Sequence, residues 1–201
     1  MWNLAGTGGV KRGNSSTMTT DRTEPSDSDL VARARAGDAA AFGALVGRYQ
    51  GAALRLAAAV SGSVVDAADI AQEAFVKAHR SLSRLTDPAM VRPWMLRIVA
   101  NEAKNHLRGR DRRRQRDARY GSWVVATLAD PEASALDADA ARELSVALGR
   151  LGARDRQVLG YRYFAGLSEA ETAQAVGVAV GTVKSRTARA LDRLRTEMER
   201  P

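Results

Sequence analysis

Apolar residues recur along most of this chain at intervals of three to four, the period of a helix with one buried face, and not at the interval of two that marks a strand. The pattern starts near Ser28 or Asp29 with a broken stripe of Leu30, Ala34, Ala41, Leu45 and Tyr49. Gly37-Asp38 predicts a break between two helices within it. A second apolar run covers Leu54 to Val60, and Gly62-Ser63 predicts the turn that follows. Asp66 to Leu82 predicts one long helix with Ile70, Ala74, Phe75 and Ala78 on one face. Thr86-Asp87-Pro88 is a loop signal. Pro93-Trp94 opens the next helix, because the fixed φ of Pro suits a first turn. Trp94, Ile98 and Ala100 of that helix are expected to face a core.

The pattern then gives way to charge. Lys104 to Arg119 carries eight cations, Lys104, Arg108, Arg110, Arg112, Arg113, Arg114, Arg116 and Arg119, against Asp111 and Asp117. The sign reverses afterwards, with Asp130, Glu132, Asp137, Asp139 and Glu143 against Arg142. Tyr120 to Ala135 has no sustained period and predicts a flexible linker. Ahead of the first helix, Gly6, Gly8, Gly9 and Gly13 sit among Asn, Ser and Thr with little to bury, which predicts disorder. Met18 lies in that stretch and is a second candidate start beside Met1. The expectation is an all-α chain of two small helical domains: a tail over 1–26, a helical unit over 27–117, a linker over 118–137 and a second helical unit over 138–201.

The second unit holds a local motif. Ser168-Glu169-Ala170-Glu171 predicts a capping box, in which the Ser hydroxyl accepts from the residue-171 amide and Glu171 reaches back. Gly177 supplies the left-handed turn that ends this helix. Val178 follows as an apolar anchor, and a new helix is expected from about Gly181 to Met198. Val183, Ala190, Leu191 and Leu194 form its apolar stripe. Thr182, Arg186, Arg189 and Arg193 share the other face. Small Ala173 and Gly177 are expected to let the two helices cross closely. The spacing is that of a helix-turn-helix, whose second helix enters the DNA major groove. A plain helical hairpin with a solvated basic face has much of the same pattern. The capping box, the turn Gly and the basic second face together favour DNA binding.

Composition narrows the function classes. The chain has 201 residues and 21.6 kDa, room for one mid-sized domain or two small ones. There are 38 Ala against 5 Pro, in keeping with helix. Lys and Arg total 31 and Asp and Glu 23, a formal net charge of +8, and Arg supplies 27 of the cations. A pI near 10.5 points to a polyanionic partner, nucleic acid ahead of membrane. With no Cys, disulfides, thiolate zinc sites and Cys nucleophiles are excluded. His79 and His106 are far apart and have no paired metal-ligand spacing. No Gly-rich phosphate loop or catalytic constellation occurs, so neither an enzyme nor a cofactor or metal is expected. No apolar run approaches the roughly 18 residues of a membrane span. The polar N-terminus does not read as a signal peptide, and a soluble, cytoplasmic protein is expected.

Four segments resemble one family in that family's order. Gly166-Leu167-Ser168 with Val180-Gly181-Thr182-Val183-Lys184-Ser185-Arg186 resembles region 4 of bacterial sigma factors, most closely the small extracytoplasmic-function group. Ala34-Arg35-Ala36-Gly37-Asp38 with Ala41-Phe42 resembles the start of region 2. Asp69 to Phe75 resembles the helix that grips the polymerase clamp, and Pro93 to Asn101 the promoter-opening segment. The resemblance spans about residues 28–200. Ala179 departs from it, standing where the family often has Pro. The length leaves no room for a region-3 domain.

The resemblance implies roles. Asp69, Gln72, Glu73 and Lys77 would meet core RNA polymerase at its clamp, with the flap as a further contact. Trp94, Arg97, Asn101, Arg108 and Arg110 would hold the opened −10 strand, with Leu85 to Arg92 as the base-selecting loop. Thr182, Lys184, Ser185, Arg186, Arg189 and Arg193 would meet the −35 element. The linker would thread through polymerase, and an anti-sigma protein is a further implied partner. Trp94 also reads as a core residue beneath the loop. A stand-alone helix-turn-helix regulator is the alternative function, and it leaves Asp69–Phe75 and Pro93–Asn101 unexplained. The periodless linker predicts that the spacing of the two units is unset in solution.

Overall fold

The computed structural model describes residues 24–116 and 135–200. Helix α1 (Asp27–Arg35) begins where Ser26 accepts from the Asp29 amide at 3.2 Å and Asp29 accepts in turn from the Ser26 amide at 3.2 Å. Gly37 turns the chain at φ 95°, and Asp38 caps helix α2 (Ala39–Ser61) by accepting from the Ala41 amide at 3.1 Å. The expected break at Gly37-Asp38 is therefore present. The apolar run Leu54 to Val60 is the second half of α2, because no left-handed glycine or proline separates it from Tyr49. Gly62, at φ 69°, ends α2. Helix α3 (Ala67–Ser81) buries Ile70, Ala74 and Ala78 as its spacing predicts. Two 3₁₀ turns, Leu82–Arg84 and Pro88–Met90, carry the loop to helix α4 (Val91–Arg116), which continues into the cationic run.

The second unit begins with helix α5 (Ala135–Arg150), starting three residues ahead of position 138. The rest of the expected linker lies outside the described residues, as do residues 1–23. Helix α6 (Ala153–Leu159) runs on into a π turn over Gly160–Phe164, closed by the Ala165 amide donating to the Gly160 carbonyl at 2.8 Å. Helices α7 (Glu169–Val176) and α8 (Val180–Met198) complete the unit. No strand occurs among the described residues.

The capping box of α7 forms as expected. Glu171 N donates to Ser168 Oγ at 3.2 Å, and Ser168 N donates to Glu171 Oε2 at 2.8 Å. Burial pushes the Glu171 carboxyl up, but the two Ser168 contacts and the Arg92 guanidinium together outweigh it and leave the group below its ordinary value. Ser168→Ala is expected to lower stability by about 0.5–2 kcal/mol, the usual value of an N-cap. Denaturant titration followed by circular dichroism checks this; an unshifted midpoint would deny the cap its role. Gly177 sits at φ 75°, but a Cβ there would meet nothing within 4 Å. The residue is needed for the left-handed turn and not for a close helix crossing. Buried Ala173 lies where the helices meet.

Three apolar clusters organise the chain. One, around Leu30, Leu45, Leu82 and Met95, ties α1 to α2, α3 and α4. Another, around Leu148, Leu159, Val183 and Ala190, is the core of the second unit. The largest joins the units: Tyr161, Ala165, Leu167 and Ala175 pack with Leu56, Val60, Ile70, Leu96 and Val99. The expectation of an unset spacing thus fails. The π turn sets Tyr161 against the first unit, and Gly160 lets its backbone approach α2: a Cβ on Gly160 would stand 2.8 Å from Leu56 Cδ1 and 3.3 Å from Val60 Cγ2. Arg55 Nε donates to the Phe164 carbonyl at 2.9 Å across the same seam.

Candidate polymerase and nucleic-acid interfaces

Ile70, Ala71, Ala74 and Ala78 turn inward, so the opposite side of α3 faces out. Asp69, Gln72, Glu73 and Lys77 are all exposed, and they line one surface depression of about 420 Å³ with Val76 and Arg80. Lys77 pairs with Glu102 of α4, so Asp69 and Glu73 are left against Arg80 alone and the patch stays acidic on balance. Beside it runs a groove of about 660 Å³ between α2 and α3, lined by Phe42, Val46, Leu54 and Phe75. Phe42 and His79 meet edge to face in it, with ring centroids 4.8 Å apart. Sequence reasoning missed this groove. Its only signal was Phe42 and Val46, four apart on α2 and off the main apolar stripe.

Trp94 is half-buried against the cluster that ties α1 to α4, and its remaining surface lines a cavity of about 300 Å³. Trp94 is thus a core residue beneath the loop that keeps one exposed edge. Arg97, exposed, lines the same cavity with Thr86 and Asp87 of the loop. Asn101 is exposed on the following turn and lies outside this cavity. Arg108 is exposed farther along α4, and the side chain of Arg110 lies outside the described residues. Lys104 differs from exposed Arg108. It is half-buried and donates to Gln157 Oε1 at 3.5 Å, joining the two units. Burial, and secondarily the Arg108 charge, pull its ammonium group below the ordinary lysine value.

On α8, Val183 and Ala190 are buried and Leu191 and Leu194 pack beside them. Lys184, Ser185, Arg189 and Arg193 are exposed, while Thr182 and Arg186 are half-buried. The face is less uniformly cationic than its composition suggests. Lys184 Nζ stands 3.6 Å from Glu169 Oε2, and Arg193 pairs with Asp155 of α6. The acids come from α6 and α7, so no spacing within α8 could reveal them. Ser185 Oγ donates to the Thr182 carbonyl at 3.1 Å, and Arg189 Nε donates to the Ser185 carbonyl at 3.1 Å.

Among the described residues no group of His, Asp or Glu could hold a metal ion, and no helix is long and apolar enough to cross a membrane. Residues 45–113 match the family model for sigma-70 region 2, and residues 147–196 match that for sigma-70 region 4. The RNA polymerase sigma-H factor of Pseudomonas aeruginosa is 35% identical over 176 residues, covering 84% of this chain and 91% of that protein. The ECF RNA polymerase sigma factor SigM of Mycobacterium tuberculosis is 38% identical over 173 residues, covering 86% and 85%.

The chain belongs to the extracytoplasmic-function sigma factors.

A solved structure of CnrH in complex with the cytosolic domain of CnrY is 28% identical, with a TM-score of 0.62, covering 85% of this chain and 95% of CnrH. The protein is a sigma factor that acts with core RNA polymerase in promoter-directed initiation. Region 2 matches from within α2 to within α4, and region 4 from the end of α5 through α8. The alternative of a stand-alone helix-turn-helix regulator falls away, because the region-2 match accounts for the half of the chain that reading left unexplained.

Proposed function

We propose that this sigma factor divides its work among three surfaces. The acidic outer face of α3, with Asp69, Gln72, Glu73 and Lys77, docks on the polymerase clamp. Trp94, Arg97 and Asn101, continued by Arg108 and Arg110, hold the opened −10 strand. The exposed face of α8 meets the −35 element. The observation that carries the reading is the acidic patch set directly opposite buried Ile70 and Ala74, so that the residues resembling the clamp-gripping helix are free to meet a partner. No bond chemistry is required: the protein positions and melts DNA. It works in the cytoplasm, and an anti-sigma protein restrains it. CnrH, of similar fold, has been solved with a second protein's cytosolic domain.

Strand capture needs cations that follow the backbone and a planar group on which an unpaired base stacks. Arg97 and Trp94 supply one of each at a single cavity. Run-off transcription with core polymerase on genomic fragments tests the whole reading, and failure to yield discrete starts would reject it. The α8 residues separate by role. Arg189→Ala is expected to cost about 1–3 kcal/mol on favoured upstream elements and to relax preference at one base position. Lys184→Ala, already neutralised in part by Glu169, is expected to weaken binding mildly and evenly across sequences. Footprinting on a panel of upstream-element variants distinguishes them. Equal, sequence-independent losses would refute base readout by Arg189.

A further inference from the structure

Three glycines stand in the interior of α2, and the fold makes no use of them. Gly43, Gly47 and Gly51 are four residues apart and form a line along its solvent side. Gly weakens a helix interior, and its value lies in letting another backbone come close. A Cβ on Gly43 or Gly47 would meet nothing within 4 Å, and one on Gly51 only Arg55 Nη1 at 3.4 Å. The line borders the groove of about 660 Å³ between α2 and α3, whose rim residues Phe42, Val46 and Gln50 each directly precede one of the glycines. Gln72, Val76 and Arg80 line both this groove and the depression that holds Asp69 and Glu73, so the apolar and acidic surfaces are continuous. On the far side of the line, Arg48 holds the start of the described chain. Its Nη2 donates to the Pro25 carbonyl at 2.9 Å and lies 3.8 Å from Glu24 Oε2. At 3.6 residues per turn, Gly47 and Gly51 fall between Arg48 and the groove.

We propose that the groove between α2 and α3 is the docking site of the chain's own N-terminal segment, Trp2 to Thr17, and that this segment competes there with core polymerase. The competition rests on the reading of the α3 face as the clamp surface; the docking does not. The 23 residues ahead of Glu24 reach up to ~75 Å when extended, and a helix with its side chains is about 10 Å across, so the segment spans the distance from Arg48 to the groove. Its residue order suits the surface. Gly13 to Thr17 are small and polar and cross the glycine line. Lys11-Arg12 meets Asp69 and Glu73, Gly8-Gly9 permits a turn, and Trp2 and Leu4 fill the apolar groove. A second copy or a separate partner has no such tether. A tether of this length gives an effective concentration of about 1 mM, so a contact with a Kd of about 0.1 mM is closed about ten times as often as it is open. A chain begun at Met18 keeps the site and lacks the occupant.

Fluorine NMR of the full chain carrying 5-fluorotryptophan tests the docking, with the Trp2 signal assigned through Trp2→Phe. That signal is expected to lie away from the signal of a free peptide of residues 1–17. It is expected to move to the free position in two variants. Gly47→Leu sets a side chain on the crossing, and Val46→Glu puts a charge in the groove. Gly47→Leu is also expected to raise the melting temperature, because the helix itself gains from losing a glycine. Core polymerase is expected to bind the chain begun at Met18 about ten-fold more tightly than the full chain. A Trp2 signal at the free position in the unsubstituted chain overturns the docking. A displaced signal that returns to the free position on dilution places the segment in the groove of a second copy and overturns it equally. Equal polymerase affinity of the two chains, with Trp2 docked, overturns the competition. If Asp69→Arg with Glu73→Arg also leaves the affinity of the Met18 chain unchanged, the clamp reading beneath it has failed instead. Circular dichroism confirms folding, and Val46→Glu decides the matter if Gly47→Leu does not fold.

Discussion

Reversing two charges on α3, with Asp69→Arg and Glu73→Arg together, is expected to reduce the affinity for core RNA polymerase by about a hundred-fold or more while leaving the fold intact. Like-charge juxtaposition at a contact costs several kcal/mol, and each 1.4 kcal/mol is about ten-fold. Both carboxylates stand exposed with Ile70 and Ala74 buried behind them, so the fold has little stake in their sign beyond the first-turn dipole interaction of Asp69, worth about 0.3–1 kcal/mol. Arg also forms helix well and adds no strain to α3. Fluorescence titration with labelled core polymerase measures the loss, and thermal melting confirms the fold. Unchanged affinity with normal melting would falsify the assignment of this face. The companion change Lys77→Ala is expected to do less, because its ammonium group is already held by Glu102.

Truncating Tyr161 is expected to have the largest effect on stability. The side chain has no exposed surface and sits among residues of both regions. Its hydroxyl is pushed up to about 12 by burial, with only a hydrogen bond from Gln157 and the Arg97 charge acting against it. Tyr161→Ala removes the contacts of a whole ring and leaves a cavity between α2, α4 and the π turn. Aromatic-to-Ala changes at such sites cost about 3–5 kcal/mol. Because the ring belongs to a cluster shared by both regions, their unfolding transitions are expected to move together and then to separate as the seam weakens. Denaturant titration with probes on each region reads this. A loss confined to region 4, with region 2 unshifted, would mean that the regions fold independently.

Much of the region-4 motif was legible because its signals are local. A capping box, a left-handed Gly and a helical stripe act within a few residues, so Ser168, Glu171, Gly177, Val183 and Ala190 occupy the places their spacing predicts. The same holds for α1 and for the buried face of α3. What the spacing left open were contacts between residues distant in sequence. Glu169 beside Lys184 and Asp155 beside Arg193 come from other helices, so the α8 face looked more uniformly cationic than it is. Lys104 read as one more cation of a DNA-tracking run, yet it faces Gln157 across the seam.

The amino-acid sequence by itself determined that this protein is all-α, where most helices start and stop, and which faces of α3 and α8 are free to meet partners. Each of those follows from periodicity and capping, which are set by near neighbours along the chain. The tertiary structure alone decided that region 2 and region 4 dock. That docking depends on a glycine whose value lies in an absent Cβ, on a π turn with no sequence signature, and on an arginine that bonds backbone carbonyls over seventy residues away. Carbonyl groups are common to every residue, so a side chain that seeks them names no partner in advance.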